Sequence, residues 1–126
     1  MKITIASSAG FCFGVKRAVD MVYSEVEKES NVYTLGPIIH NDEVVADLAS
    51  KGVKVVQTPE ELKVLPAGTI IIRSHGVSEA IQDELSSYGH KIIDATCPYV
   101  KKLHHITNLL KKEKYQIIIL GDIIHP

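Results

Sequence analysis

Thr69-Ile70-Ile71-Ile72-Arg73-Ser74-His75-Gly76-Val77-Ser78 is the stretch that decides the fold. Four β-branched residues in succession read as a short strand buried on both faces, and a polar turn then leads into a helical pattern. That helix is expected from Ser78 to about Tyr88, with Ile81, Leu85 and Tyr88 on one face and Gly89 as its stop. The same unit repeats in both directions. Buried strands are expected also at 3–6, 32–35, 53–56, 91–94 and 116–120. Between the first two, Val15, Ala18, Val19, Val22 and Val26 follow the spacing of an amphipathic helix. A shorter helix around Val44, Val45, Leu48 and Ala49 ends at Gly52, a C-cap. Thr58-Pro59-Glu60-Glu61-Leu62 reads as one helical turn. A last helix opens at Pro98 and places Val100, Leu103, Thr107 and Leu110 inward, with lysines in its last turn. Strand and helix alternating at this spacing predict an α/β fold, a mainly parallel sheet with helices on both faces.

The 126 residues suit one domain, or one domain and part of another. Fourteen Lys and Arg against fifteen Asp and Glu leave a net charge of -1, so neither nucleic acid nor an anionic membrane is an expected partner. No apolar run approaches the roughly 20 residues of a membrane span. The opening Met1-Lys2-Ile3-Thr4-Ile5-Ala6-Ser7-Ser8 is too short and polar for a signal peptide. A cytoplasmic location is expected, where Cys12 and Cys97 serve as reduced thiols, metal ligands or catalytic groups rather than as a disulfide.

In an open α/β sheet, ligands bind beyond the carboxyl ends of the strands, where helix N-termini also point. That rule sorts the reactive side chains. Cys12, His40, His75, Cys97 and His125 each follow an expected strand, and four of them precede an expected helix. His90 falls at the opposite edge, while His104 and His105 belong to a solvated helix face. Any one of the five has a plainer reading, as a small core thiol, a loop residue or a terminus. Their clustering is the signal. Thiolates with imidazoles suit zinc or an iron–sulfur cluster. Imidazoles with helix N-termini suit a phosphate or diphosphate. A Cys/His nucleophile pair is a third chemistry for the same set, without an identifiable orienting group. Gly10-Phe11-Cys12-Phe13-Gly14 matches neither nucleotide-binding glycine fingerprint.

Five blocks occur in order: Ala9-Gly10-Phe11-Cys12-Phe13-Gly14-Val15, Ile39-His40-Asn41, Arg73-Ser74-His75-Gly76-Val77, Asp94-Ala95-Thr96-Cys97-Pro98 and His125-Pro126. Together they closely resemble the 4-hydroxy-3-methylbut-2-enyl diphosphate reductase family of the methylerythritol phosphate route to isoprenoids. The resemblance implies a 4Fe-4S cluster at the centre of three α/β lobes arranged as a cloverleaf, held by one cysteine from each third of the protein. It implies removal of the allylic hydroxyl as water with two electrons and protons, giving isopentenyl and dimethylallyl diphosphates. By motif position, Cys12 and Cys97 are the first two cluster ligands, and His40, His75 and His125 are the histidines around the diphosphate substrate. A ferredoxin or flavodoxin is the implied electron donor.

The sequence also departs from the family pattern. The family's third cysteine and its Ser-x-Asn phosphate segment are absent, and the glutamate that follows His-Pro would be the residue after Pro126. No catalytic acid is therefore assigned within the 126 residues, and two thiolates fall short of the three protein ligands such a cluster needs. The expectation is an N-terminal portion of the enzyme, inactive alone; an alternative is a half-protein that needs a complementary C-terminal chain. Within it, 1–13 form a first strand and cysteine loop that pair with the missing lobe. Residues 14–96 form one α/β lobe, and 97–126 form the opening helix and strand of a second. The rival expectation is an anion- or zinc-binding α/β module using the same thiols and a histidine.

Overall fold

A computed structural model describes residues 1–28 and 31–121. Its elements in chain order are α1 (Phe13–Val26), β1 (Val32–Leu35), α2 (Asp42–Ser50), β2 (Lys54–Val56), a 3₁₀ turn (Pro59–Val64), β3 (Thr69–Ile72), α3 (Glu79–Ser86), β4 (Lys91–Asp94) and α4 (Pro98–Lys112). The four strands make one parallel sheet in the order β2-β1-β3-β4. Val32 pairs with Thr69 and Leu35 with Ile72, while Thr69 pairs with Lys91 and Ile72 with Asp94.

All four residues of β3 are buried. Their alternation divides the core. Ile71 faces the layer of α1 and α2 with Ala18, Val22, Ile38 and Leu48, whereas Ile70 and Ile72 face Leu62 of the 3₁₀ turn and Leu85 of α3. Each of these isoleucines is fully buried, a contribution of about 1.5–3 kcal/mol per side chain. The helices begin and end on local signals. Asn41 Oδ1 accepts the Val44 N–H at 2.9 Å to open α2, and Ser78 caps α3 through the Ile81 N–H. Gly52 (φ +91°) and Gly89 (φ +76°) turn the chain after α2 and α3 in the left-handed conformation that glycine adopts without strain. At the amino edge of the sheet, Glu25 near the end of α1 is 5% exposed. Its carboxylate accepts hydrogen bonds from Lys28 Nζ at 2.5 Å and Lys91 Nζ at 3.0 Å. Those bonds, the Lys28 one foremost, hold it below the ordinary carboxylate range against the cost of burial.

Two of the six expected strands do not form. Residues 3–6 and 116–120 are without regular structure. Ile3 and Ile5 are 74% and 80% exposed, and Ile118, Ile119 and Leu120 lie between 84% and 99%. β-branched residues favour a strand only where a paired edge and a face to pack against exist, and the described sheet offers these two segments neither. The expected inward face of α4 is corrected for the same reason. Leu103 is 63% exposed, and α4 buries no residue, because no layer stands opposite it among the described residues.

Candidate functional site

The carboxyl edge of the sheet is built around the turn between β4 and α4. Pairing of β3 with β4 continues past the strand ends, with Ala95 N–H donating to Ile72 O at 3.1 Å and Cys97 N–H to Ser74 O at 2.9 Å. The Cys97 turn is thereby tied to the turn carrying His75. Asp94 fixes its shape: the carboxylate accepts the Thr96 backbone N–H at 2.8 Å and the Thr96 hydroxyl, and pairs with Lys101 Nζ at 2.5 Å. Partial burial pushes the Asp94 carboxyl up, but the Lys101 and Thr96 hydrogen bonds outweigh it and leave it below the usual aspartate value. From α1, Arg17 Nη1 donates to Thr96 O at 3.3 Å.

Cys97 is the N-cap of α4, with Pro98 at the first helical position, and Cys12 is the N-cap of α1. Neither side chain makes a capping hydrogen bond. The helix N-termini meet: a Cβ placed on Gly14, two residues beyond Cys12, would stand 2.5 Å from Cys97 Sγ. Partial positive charge from both helices thus falls on the space where the thiols sit, an arrangement suited to an anion.

His40 and His75 are the next pair. Their ring centroids are 5.3 Å apart and tilted by 46°, His40 standing exposed just before the Asn41 cap and His75 half-buried. Gly76 (φ +80°) lets the His75 turn close on the Cys97 turn. A Cβ there would meet Thr96 Cγ2 at 3.0 Å and Thr96 Oγ1 at 3.1 Å, with His104 Cε1 at 3.3 Å. The turns that carry Cys12, Cys97, His75 and His40 are therefore linked along one edge, through Gly14 against Cys97, the Cys97 N–H on Ser74 O and the facing His75 and His40 rings. His125 lies outside the described residues. His90 sits at the other edge as expected, its Nε2 3.1 Å from Leu62 O and its ring edge-on to Tyr33.

Sequence reasoning missed His104. It is exposed, as a solvated face requires, yet it borders a cleft of about 510 Å³ that is also lined by His75, Ser78, Thr107 and Asn108. Gly14 and Asp94 were also missed as parts of the site, since their contacts are long-range or depend on a turn geometry that no spacing rule reports.

Two thiols at two helix N-termini fit an iron–sulfur centre as far as they go. Among the described residues no group of three or more His, Cys, Asp and Glu side chains comes together to hold a metal ion unaided. Among the described residues, too, no helix is long and apolar enough to cross a membrane.

Comparison with known proteins supplies the context. The 4-hydroxy-3-methylbut-2-enyl diphosphate reductase of Caldanaerobacter subterraneus subsp. tengcongensis is 49% identical over the whole of this chain. That of Thermoanaerobacter sp. (strain X514) is 50% identical. In both cases the chain spans 44% of the relative's length. A solved (E)-4-hydroxy-3-methyl-but-2-enyl diphosphate reductase, described as the terminal enzyme of the non-mevalonate pathway, superposes with a TM-score of 0.82 at 44% identity. The match covers 98% of this chain and 43% of that one. The E-1-hydroxy-2-methyl-but-2-enyl-4-diphosphate reductase of Plasmodium falciparum gives 0.85 at 32% identity, over 94% of this chain and 37% of that one. The parallel α/β sheet is thus a shared architecture, and, with the LytB protein family matching residues 3–126, the chain belongs to that family.

Proposed function

We propose that this chain supplies the first two cysteines and two histidines of a reductase that converts 4-hydroxy-3-methylbut-2-enyl diphosphate to isopentenyl and dimethylallyl diphosphates. The observation that carries the reading is the meeting of the two helix N-termini, with Cys97 Sγ against Gly14 of the turn that begins at Cys12. Cys12 and Cys97 would hold two irons of a 4Fe-4S cluster, with a third ligand coming from outside the 126 residues. Bound there, the cluster would pass two electrons to the substrate as its hydroxyl leaves with protons as water. His40 and His75, side by side at 5.3 Å, meet the charged end of the substrate, their ring N–H groups donating to phosphate oxygens. His125 is proposed as the third histidine of that set. The N-terminus of α2, capped by Asn41 beside His40, adds backbone dipoles of the same sign.

The proposed layout is a cysteine segment at 1–13, an α/β lobe at 14–96 and the opening of a second lobe at 97–126. The exposed residues 3–6 and the thinly covered α4 support it, since Ile3, Ile5, Leu103 and Leu109 are apolar and exposed. A cytoplasmic setting with a ferredoxin or flavodoxin donor belongs to the same reading, as does a third cysteine outside the 126 residues. The chain alone is expected to be inactive. Anaerobic reconstitution with iron and sulfide, together with a complementary C-terminal chain, should give a brown complex that turns over substrate with a reduced donor, whereas this chain alone should not. Stoichiometric zinc without sulfide, or a colourless complex, would refute the cluster assignment in favour of a zinc- or anion-binding module. Turnover by the isolated 126 residues would refute the expectation that they are inactive alone.

A further inference from the structure

Gly14 occupies a place where glycine is locally unfavourable. It is the second residue of a 14-residue helix, where alanine is the better helix former. It is absent from the glycines with positive φ, so no left-handed backbone demands it. Its α-carbon has one close visitor from elsewhere in the chain, the Cys97 side chain. A Cβ would lie 2.5 Å from Sγ, 3.0 Å from the Cys97 Cβ and 3.8 Å from its α-carbon. The first of these separations is one that real Cβ atoms essentially never show. The Cys97 backbone has little room to give way, so the relief must come from the sulfur. The Cys97 N–H is bound to Ser74 O, the preceding residue is clamped by Asp94 and Arg17, and Pro98 restricts the backbone that follows.

We propose that Gly14 is a positioning residue for Cys97: its bare α-carbon is the seat of the thiol, and any side chain there displaces the sulfur outward from the paired helix N-termini. The purpose of the seat, presenting Cys97 beside Cys12 to one iron–sulfur centre, rests on the reductase reading, whereas the seat itself is testable on the metal-free chain.

The experiment is site-resolved alkylation of the reduced, metal-free 126-residue chain by iodoacetamide at one fixed pH, read by mass spectrometry, with thermal melting alongside. In Gly14→Ala, the Cys97 rate constant should rise about threefold or more as the thiol is pushed outward into solvent, while Cys12 changes by less than about twofold. The melting midpoint should fall despite alanine's higher helix propensity. In a Cys97→Ala background, the same Gly14→Ala change should lose most of that penalty. An unchanged Cys97 rate constant, or a Gly14→Ala chain that melts higher than the parent, overturns the proposal. If Gly14→Ala does not fold, recovery of folding in the double variant supports the seat, and failure of the double variant overturns it. Iron and sulfide uptake is a separate arm. A parent chain that takes up none, even with its complementary chain, refutes the reductase reading and leaves the alkylation result standing.

Discussion

Removing the Asp94 carboxylate tests how firmly the cysteine turn is held. In Asp94→Ala, three hydrogen bonds to a charged acceptor disappear: the Thr96 N–H at 2.8 Å, the Thr96 hydroxyl and Lys101 Nζ at 2.5 Å. Hydrogen bonds to charged groups contribute about 1.5–3 kcal/mol each when buried. Here the carboxylate is 29% exposed and Lys101 50% exposed, so the lysine pair is worth about 0.5 kcal/mol. The aspartate's own desolvation cost is also relieved. A net loss of about 2 kcal/mol follows for Asp94→Ala, and about 1 kcal/mol for Asp94→Asn, which keeps an acceptor for the Thr96 N–H. For a chain of this size that is a drop of roughly 6–10 °C and 3–5 °C in Tm. The pH dependence has a definite sign. The folded Asp94 value lies below the unfolded one, so its stabilisation is present above the ordinary aspartate value, about 3.9, and fades as pH falls through the folded value. Urea unfolding from about pH 7 down to about pH 3 should show the parent losing more stability than Asp94→Asn. Superimposable pH curves, or a loss under about 0.5 kcal/mol in Asp94→Ala, would refute the reasoning.

Three further perturbations have clear expectations. Gly68→Ala places a Cβ 2.3 Å from the Asn31 carbonyl oxygen, which is backbone and cannot swing aside; urea titration should show a loss of about 2–3 kcal/mol. Glu25→Gln weakens the bonds from Lys28 and Lys91 at the amino edge and should cost about 1–2 kcal/mol near neutral pH. Because Glu25 is held below its ordinary value, that difference should shrink as acid protonates the parent, which denaturation at a series of pH values will report. Asn41→Ala removes the α2 cap at a cost of about 1 kcal/mol, and Asn41→Ser should recover most of it.

The central fold was legible because its signals are local. The runs at 32–35, 69–72 and 91–94 became strands with those bounds, and the run at 53–56 became β2 from Lys54 onward. The runs at 3–6 and 116–120 have the same composition, but composition does not report whether a neighbouring strand exists to pair with. That failure and the exposed Leu103 of α4 share one origin: periodicity names the apolar face, and only tertiary structure supplies its cover. For the site, the rule of the carboxyl edge placed the turns of His40, His75 and Cys97, which follow β1, β3 and β4; no strand forms before Cys12, whose turn reaches that edge through Gly14 of α1 against Cys97. What it did not deliver were the supports. Gly14 reads as a weak helix residue until Cys97 is found against it, and Asp94 reads as a strand end until its bonds to Thr96 and Lys101 are seen.

The continuation of β3–β4 pairing into Ala95 and Cys97 makes residue count at this edge a fixed ruler. Each residue along paired strands advances about 3.3 Å and reverses side. One insertion between Ile72 and Ser74 would take the Ser74 carbonyl out of register with the Cys97 N–H that it now accepts. Length can vary instead around Gly52 and Gly89, where a Cβ would meet nothing within 4 Å. Those two turns are the places to attach a fluorophore, an affinity tag or a tether to a second chain, leaving the thiol edge undisturbed.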